Sequence, residues 1–244
     1  MELRGYLDEL ERQGQALGSA AAQLDLDAEV PTCPTWTVAE LVAHIGMVHR
    51  WAASHVQEPR KTGDGAQATA PEEGLLDWYD DGHRILVETL RSAQPDVAAW
   101  TFLPARSPLE FWARRQAHET AIHRADADAA RGCVPSYDAD FAADGIAELI
   151  DGFMGRRGGR LLSDRPRTLK VRLADNDRSW HMTIGPEGRQ ISHDATMPAE
   201  ATVLAAASQM YLFLWNRVSR DVVQVNGDSS VLDLWRDKAH VRWS

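Results

Sequence analysis

The sequence predicts an α+β protein in which a four-helix bundle is followed by a small α+β domain. Up to about residue 162 the apolar residues recur mostly at helical spacing, and after about residue 167 apolar and polar residues alternate as in half-buried strands. At 244 residues the chain can form two units that each bury a core. We therefore expect a helical bundle over residues 1–162 and an α+β domain over residues 163–244.

Sequence signals for helix ends divide the first region into separate helices. Thr37 and Glu40 form a capping-box signature before the second helix, and Ser107 with Pro108 marks the start of the fourth. A polar loop over 58–70 separates the second helix from the third. The helices are expected at 2–23, 37–56, 71–93 and 107–131, with a further helical segment over 138–162.

The second region begins with short alternating segments that predict strands. Turn residues at 185–188 separate two of them, and Asn226-Gly227 indicates a later turn, after which Asp228 is expected to cap the last helix. Strands are expected near 169–173, 180–184, 190–193, 201–205 and 222–225, with a helix through 210–217.

Charge and cysteine content exclude several function classes. The net charge of -10 and pI near 5.3 argue against nucleic acid or an anionic membrane as the main partner, because phosphate binding needs a basic face. Only Cys33 and Cys133 occur, so a disulfide scaffold is not expected. The first residues are too polar for a signal peptide, and no apolar run is long enough to span a membrane. We expect a soluble, cytoplasmic protein.

A carboxylate and an imidazole four residues apart are the main functional signal. Glu119 and His123 lie one turn apart on the predicted fourth helix, and His44 lies on an apolar stripe of the second. Burying an unpaired carboxylate costs several kcal/mol, about 2–7 for an uncompensated polar group, so Glu119 needs a partner. If the three side chains converge, they can ligate one divalent ion and leave a position for water or substrate.

Simpler interpretations of the same residues stay open from the pattern alone. A histidine on an apolar stripe is more often a hydrogen-bonded core residue, and a Glu–His pair at this spacing is often a surface contact. His118 points to a different face from His123, so we expect it to be a neighbour and not a ligand.

Five segments carry a family resemblance. They are 33–38 (CPTWTV), 41–44 (LVAH), 118–126 (HETAIHRAD), 212–217 (LFLWNR) and 225–228 (VNGD). In this order and spacing they resemble the mycothiol-dependent maleylpyruvate isomerase family, which belongs to the DinB-like superfamily of metal-binding four-helix bundles.

The resemblance implies roles for particular residues. The family's metal ligands correspond to His44, Glu119 and His123, with zinc or another divalent ion as the metal. An arginine thought to matter for activity corresponds to Arg217, although Asn216 stands where the family usually has glycine. Asp126 matches the aspartate that follows the ligand histidine, and we interpret it as support for that histidine.

A mycothiol-dependent enzyme is the first functional hypothesis that follows. Its thiolate would attack a small electrophile, giving either cis–trans isomerisation of a maleylpyruvate-type diacid or S-transfer. Arg217 would suit a substrate carboxylate, whereas Arg114 and Arg115 are weaker candidates and are expected on a solvated helix face. Cys33 and Cys133 are expected to be packed or idle. Trp36, Trp112 and Trp215 are candidates for a pocket wall.

Two hypotheses from other classes stay open. One is a protein that binds a small molecule without catalysis, with a structural metal or none. The other is a partner-binding regulator. The oligomeric state is not determined by the sequence.

Overall fold

A computed structural model of the protein describes residues 1–58, 63, 68–156 and 159–241. The chain divides into two compact units, Met1–Pro135 and Ser136–Ser244. The sequence analysis places its boundary later, after residue 162. The difference arises because the helix that begins at Ala139 packs on a helix of the second unit.

The first unit consists of four helices, as the sequence predicts. They are α1 (Leu3–Ala21), α2 (Val38–Gln57), α3 (Leu75–Ser92) and α4 (Pro108–Ala130). The capping box of α2 is present, since the Glu40 amide donates to Thr37 Oγ1 at 3.3 Å and the Thr37 amide donates to Glu40 Oε2 at 2.7 Å. Ser107 caps α4 by accepting the Glu110 amide at its hydroxyl oxygen, at 3.1 Å. Most of the predicted 58–70 loop lies outside the described residues.

The core of the bundle is mostly apolar, and among the described residues its buried arginine, aspartate and glutamate side chains lie on α4. Helix α1 packs on α4, and α2 packs on α3, through buried residues such as Leu10, Leu17, Leu41 and Ile45. Helix α4 is buried almost all round, and its buried residues include Arg115, His118, Glu119 and Asp126. A bundle that buries charged side chains on its central helix must pair them.

The second unit is a mixed sheet with helices, and it confirms the α+β class. It contains α5 (Ala139–Ala147) followed by a π-helix (Glu148–Met154), α6 (Ala207–Leu214), α7 (Ser230–Lys238) and five strands. The strands are β1 (Arg167–Leu173), β2 (Ser179–Ile184), β3 (Arg189–Ser192), β4 (Ala201–Ala205) and β5 (Gln224–Gly227), in the order β3-β2-β1-β4-β5. Only β1 and β4 pair in parallel, among the described strands.

Three local predictions in this unit differ from the structure. The helical segment expected over 138–162 ends at Met154 and changes to π-helix after Ala147. The expected Asn226-Gly227 turn is the end of β5, where a Cβ on Gly227 would collide with the Glu200 carbonyl oxygen. Asp228 accepts the Ser230 amide at 3.0 Å, while Ser229 is the N-cap residue of α7.

No helix in the described part of the chain combines the length and apolar character that a membrane span requires.

Candidate metal centre

The three predicted ligands converge inside the first unit. Helix α2 contributes His44 and α4 contributes Glu119 and His123, with one potential ligand atom from each lying within 4.8 Å of the others. His123 Nε2 is 3.4 Å and His44 Nε2 is 3.8 Å from Glu119 Oε1. One carboxylate oxygen therefore faces both imidazoles. Among the described residues, no other group of three His, Cys, Asp or Glu side chains converges in this way.

The cluster is closed on one side and open on the other. Glu119 and His123 are buried, whereas the His44 side chain is 21% exposed. The two imidazole rings lie edge to face with centroids 5.0 Å apart. Of the three side chains, that of His44 is therefore the most exposed.

A hydrogen-bonded pair orients His123 from behind. His123 Nδ1 lies 2.9 Å from Asp126 Oδ2, and the Thr32 hydroxyl donates to the other oxygen of Asp126 at 2.6 Å. Asp126 is fully buried and belongs to the same helix. A proton on Nδ1 shared with Asp126 leaves Nε2 directed at Glu119, the arrangement found behind metal-ligating histidines.

The loop before α2 supplies Thr32 and also covers the cluster. It is closed by hydrogen bonds from the Val30 amide to the Trp36 carbonyl at 3.0 Å and from the Trp36 amide to the Cys33 carbonyl at 2.8 Å. Trp36 contacts both imidazoles, with ring centroids 4.8 Å from His44 and 5.9 Å from His123. Trp36 thus lines the cluster, as the sequence analysis allowed.

Arg115 contradicts the expectation of a solvated helix face. Its side chain is 1% exposed, and its Nη2 donates to Glu119 Oε2 at 2.9 Å. The i,i+4 spacing of Arg115 and Glu119 indicates a pair one turn apart, but such pairs usually lie on the surface. The neighbouring Arg114 is half-buried.

Charges in the cluster shift the pKa values of both Glu119 and His123. Burial by itself would raise the pKa of Glu119, but hydrogen bonds from His123 and His44 and the charge of Arg115 hold it well below its usual value. Burial would lower the pKa of His123, yet Asp126 and Glu119 raise it to about 9. The cluster is therefore built to hold positive charge.

A second buried histidine cluster lies in the same bundle and was not identified from the sequence. His49 Nε2 is 2.9 Å from the Thr120 hydroxyl, and His83 Nε2 is 3.0 Å from the Leu10 carbonyl oxygen. The two rings are 5.5 Å apart. Burial lowers the pKa of both histidines. This cluster favours neutral imidazole, unlike the one around Glu119.

Comparison with known families identifies the chain. Residues 7–128 match the mycothiol maleylpyruvate isomerase N-terminal domain, and residues 140–234 match the MDMPI C-terminal domain. The chain belongs to the mycothiol maleylpyruvate isomerase family. Among curated proteins, none matches this sequence.

Solved structures give the same fold. Crystal structures of mycothiol-dependent maleylpyruvate isomerase and of its histidine-to-alanine variant each align with a TM-score of 0.63 and 14% identity. Each alignment covers 93% of this chain and 93% of the other chain. At this identity the likeness concerns the fold.

The family segment in the second unit ends α6. Asn216, which stands where the family usually has glycine, has a φ of 59°, in the left-handed region that asparagine and glycine tolerate best. The Asn216 amide donates to the Phe213 carbonyl at 2.9 Å and the Arg217 amide to the Leu212 carbonyl at 2.8 Å, as in a Schellman motif. Asparagine thus preserves the backbone form that a glycine would adopt. The half-buried Arg217 donates from Nη1 to the Trp215 carbonyl at 2.8 Å.

The remaining sequence candidates lie apart from the three ligands. His118 is fully buried and lies edge-on to Tyr6 at 6.4 Å, and it is not one of the three converging residues. Cys33 is half-buried and Cys133 is exposed, and the two cysteines form no disulfide. Trp112 stacks on His55 with ring planes 11° apart.

Proposed function

We propose that this protein is a metal-dependent enzyme that uses mycothiol to isomerise a maleylpyruvate-type cis-unsaturated diacid. Family membership supports the thiol and the reaction class. The observation that carries the metal part is the convergence of His44, Glu119 and His123 on one point with a buried counter-group behind each of two ligands. The two free cysteines suit a cytoplasmic location, where thiols stay reduced.

A zinc ion fits this donor set. Two imidazole nitrogens and one carboxylate oxygen are ligands of catalytic zinc sites that keep a position for an external ligand. Metal binding requires an ionised carboxylate, and the pKa of Glu119 lies well below its usual value. Asp126 accepts the Nδ1 proton of His123 and leaves Nε2 for the ion. When bound, the ion would lower the pKa of the mycothiol thiol so that it ionises near neutral pH.

The chain's own groups would bind and orient the two reactants. The exposed edge of His44 marks the side from which the thiol arrives, and Trp36 limits water on that side. The thiolate sulfur adds to an alkene carbon conjugated with the substrate carbonyl, and the former double bond rotates. Elimination then breaks the new C–S bond and returns the thiol unchanged, so nothing is consumed besides the cis isomer.

Arg217 would bind a carboxylate of the diacid. A guanidinium presents two parallel N–H groups that match the two oxygens of a carboxylate, whereas a lysine ammonium does not present such a pair. The Schellman motif at Asn216 fixes the backbone that carries it. Arg217→Lys is expected to raise KM for the diacid with little change in zinc affinity. Arg220→Lys, three residues on in an exposed 3-10 turn, is the matched control and should change neither.

The experiment is a coupled assay of isomer and thiol on the full chain. The purified protein is loaded with zinc and mixed with mycothiol and maleylpyruvate, and both the diacid isomers and the free thiol are quantified over time. We expect conversion that needs zinc and thiol, with the thiol concentration unchanged. Loss of thiol in step with the diacid would indicate S-transfer instead. Conversion that survives chelation and the His44→Ala substitution would contradict the proposed metal centre.

A further inference from the structure

We propose that Arg115 is a positioning residue that confines Glu119 to a single-oxygen contact with the metal ion and so keeps coordination positions free for the external thiol. This inference rests on the function proposed above. It concerns the buried guanidinium of Arg115, which donates directly to Glu119.

The two oxygens of Glu119 face different partners. Oε2 accepts the Arg115 Nη2 hydrogen at 2.9 Å, whereas Oε1 lies 3.4 Å from His123 Nε2 and 3.8 Å from His44 Nε2. An ion between the two imidazoles would therefore meet Oε1. For Oε2 to turn toward the same ion, the carboxylate would have to leave the guanidinium.

The environment of this pair differs from that of a typical helix-surface ion pair. Arg115 and Glu119 are almost fully buried, so separating them would remove a charged hydrogen bond from Glu119 Oε2 inside the bundle. The low dielectric of the interior strengthens the contact that fixes the carboxylate. The carboxylate orientation is thus set before any ion binds.

The same helix provides an internal comparison. Arg124 and Asp128 have the same i,i+4 spacing and also form an ion pair, with Nε and Oδ2 3.2 Å apart. Arg124 is 19% exposed and donates as well to Gln13 at 2.7 Å. Neither residue belongs to the ligand trio. The same i,i+4 spacing therefore gives a structural ion pair at Arg124 and Asp128, and a contact with the ligand carboxylate at Arg115 and Glu119.

Charge acts in the same direction as geometry. The guanidinium offsets the negative charge of Glu119, so a bound dication would keep more of its charge for an external anion. Without Arg115 the carboxylate would be free to bind through both oxygens and to compete with the thiolate. The zinc ion would then be held at least as well, but the thiol would be held less well.

The test separates zinc affinity from thiol affinity in the full chain. Zinc affinity is measured by competition with a chromophoric chelator, and mycothiol affinity of the zinc-loaded protein by titration calorimetry. For Arg115→Met we expect zinc affinity equal to or greater than that of the unaltered protein. We expect mycothiol affinity to fall by about tenfold or more, the size typical of lost outer contacts at metal sites. Arg124→Met, the matched control, should change neither.

Cobalt substitution provides a readout that a general packing defect would not give. A change of Glu119 from one to two bound oxygens raises the coordination number, and the visible absorption of bound Co²⁺ weakens accordingly. Arg115→Lys keeps the positive charge but loses the planar pair of N–H donors. The Co²⁺ absorption of this variant should therefore be intermediate between that of the unaltered protein and that of Arg115→Met. If circular dichroism shows that Arg115→Met does not fold, Arg115→Lys takes its place in these measurements.

Three results would overturn the inference. Unchanged mycothiol affinity and an unchanged cobalt spectrum in the Arg115 variants would show that Arg115 does not direct Glu119. A loss of zinc in a folded Arg115 variant as large as in Glu119→Gln would show that Arg115 only builds the site. If the unaltered protein binds neither zinc nor mycothiol, the proposed function fails first, and this inference fails with it.

Discussion

Two histidine clusters in one helical bundle have opposite protonation behaviour. Both are buried between helices, and burial by itself lowers the pKa of an imidazole in each. At His123 two carboxylates reverse that effect and raise the pKa to about 9. At His49 the hydrogen-bond partner is the neutral Thr120 hydroxyl, and the pKa stays lowered. Buried histidines alone therefore do not indicate a cation site, whereas buried carboxylates beside them do.

The two clusters are neighbours in the sequence as well as in the bundle. His49 follows His44 by five residues on α2, and Thr120 directly follows Glu119 on α4. Adjacent helical residues point about 100° apart, so each helix presents an ionised face and a neutral face. The following substitutions test whether only the cluster around Glu119 binds a cation.

The largest effect is expected from Glu119→Gln. The amide removes the ligand charge and one of the two carboxylates that raise the pKa of His123. Because a charged ligand is lost, zinc affinity should fall by more than about 100-fold, beyond the range for outer contacts. Glu110→Gln, a half-buried glutamate on the first turn of the same helix, is the control. Chelator competition measures both variants. Retained zinc affinity in Glu119→Gln would contradict the assignment of the cation site to the cluster around Glu119.

Asp126→Asn should have the next largest effect. The asparagine no longer attracts the Nδ1 proton of His123 by charge, so zinc affinity is expected to fall by about 10–100-fold. Asp128→Asn changes an acid two residues away that pairs with Arg124 and Arg131, and should leave zinc affinity unchanged. An equal loss in both variants would mean that the helix, and not His123, had been perturbed.

The pH dependence of stability should differ in sign between the clusters. The folded pKa of His123, about 9, exceeds the ordinary 6.5, so its contribution in metal-free protein is full below pH 6.5 and is lost as pH rises to 9. The pKa of His49 is lowered, so its contribution is lost as pH falls below 6.5. Because one pKa unit is about 1.4 kcal/mol, the alkaline slope from His123 should reach at most about 1.4 kcal/mol per pH unit between pH 6.5 and 9.

Urea unfolding of metal-free protein between pH 5 and pH 9 measures both slopes. Asp126→Asn should flatten the alkaline side, and His49→Gln should flatten the acidic side. A flat alkaline side in the unaltered protein would contradict the raised pKa of His123.

The smallest effect on zinc is expected from His49→Gln. The variant loses one buried hydrogen bond to Thr120, which should cost about 1 kcal/mol of unfolding free energy. Zinc affinity should stay within about twofold, because His49 is not one of the three converging residues. Chelator competition and urea unfolding of the same preparation separate the two quantities. A tenfold loss of zinc affinity in this variant would show that the two clusters act as one site.

Local sequence signals predicted much of the fold. Helix periodicity and the Thr37 and Ser107 caps gave the four bundle helices within a few residues, and alternation gave the strands of the sheet. These signals work because they arise within one element. The change to π-helix after Ala147 and the role of Gly227 beside Glu200 depend on neighbours that are distant in sequence, so they were not predicted.

The candidate site divides in the same way. The spacing of Glu119 and His123, the apolar stripe around His44 and the family resemblance selected three side chains that do converge. The burial of Arg115 and the contact between Thr32 and Asp126 arise from tertiary packing, and no local pattern distinguishes Arg115 from the exposed arginines of other helices. Arg217 stays a prediction from the resemblance.

Zinc K-edge X-ray absorption on the zinc-loaded full chain tests the metal centre most directly. We expect one zinc per chain with two imidazole ligands and a carboxylate oxygen at about 2.0–2.2 Å, and no sulfur shell at about 2.3 Å until mycothiol is added. A protein that retains no zinc, or a sulfur shell in the absence of added thiol, would show that His44, Glu119 and His123 do not form the proposed site.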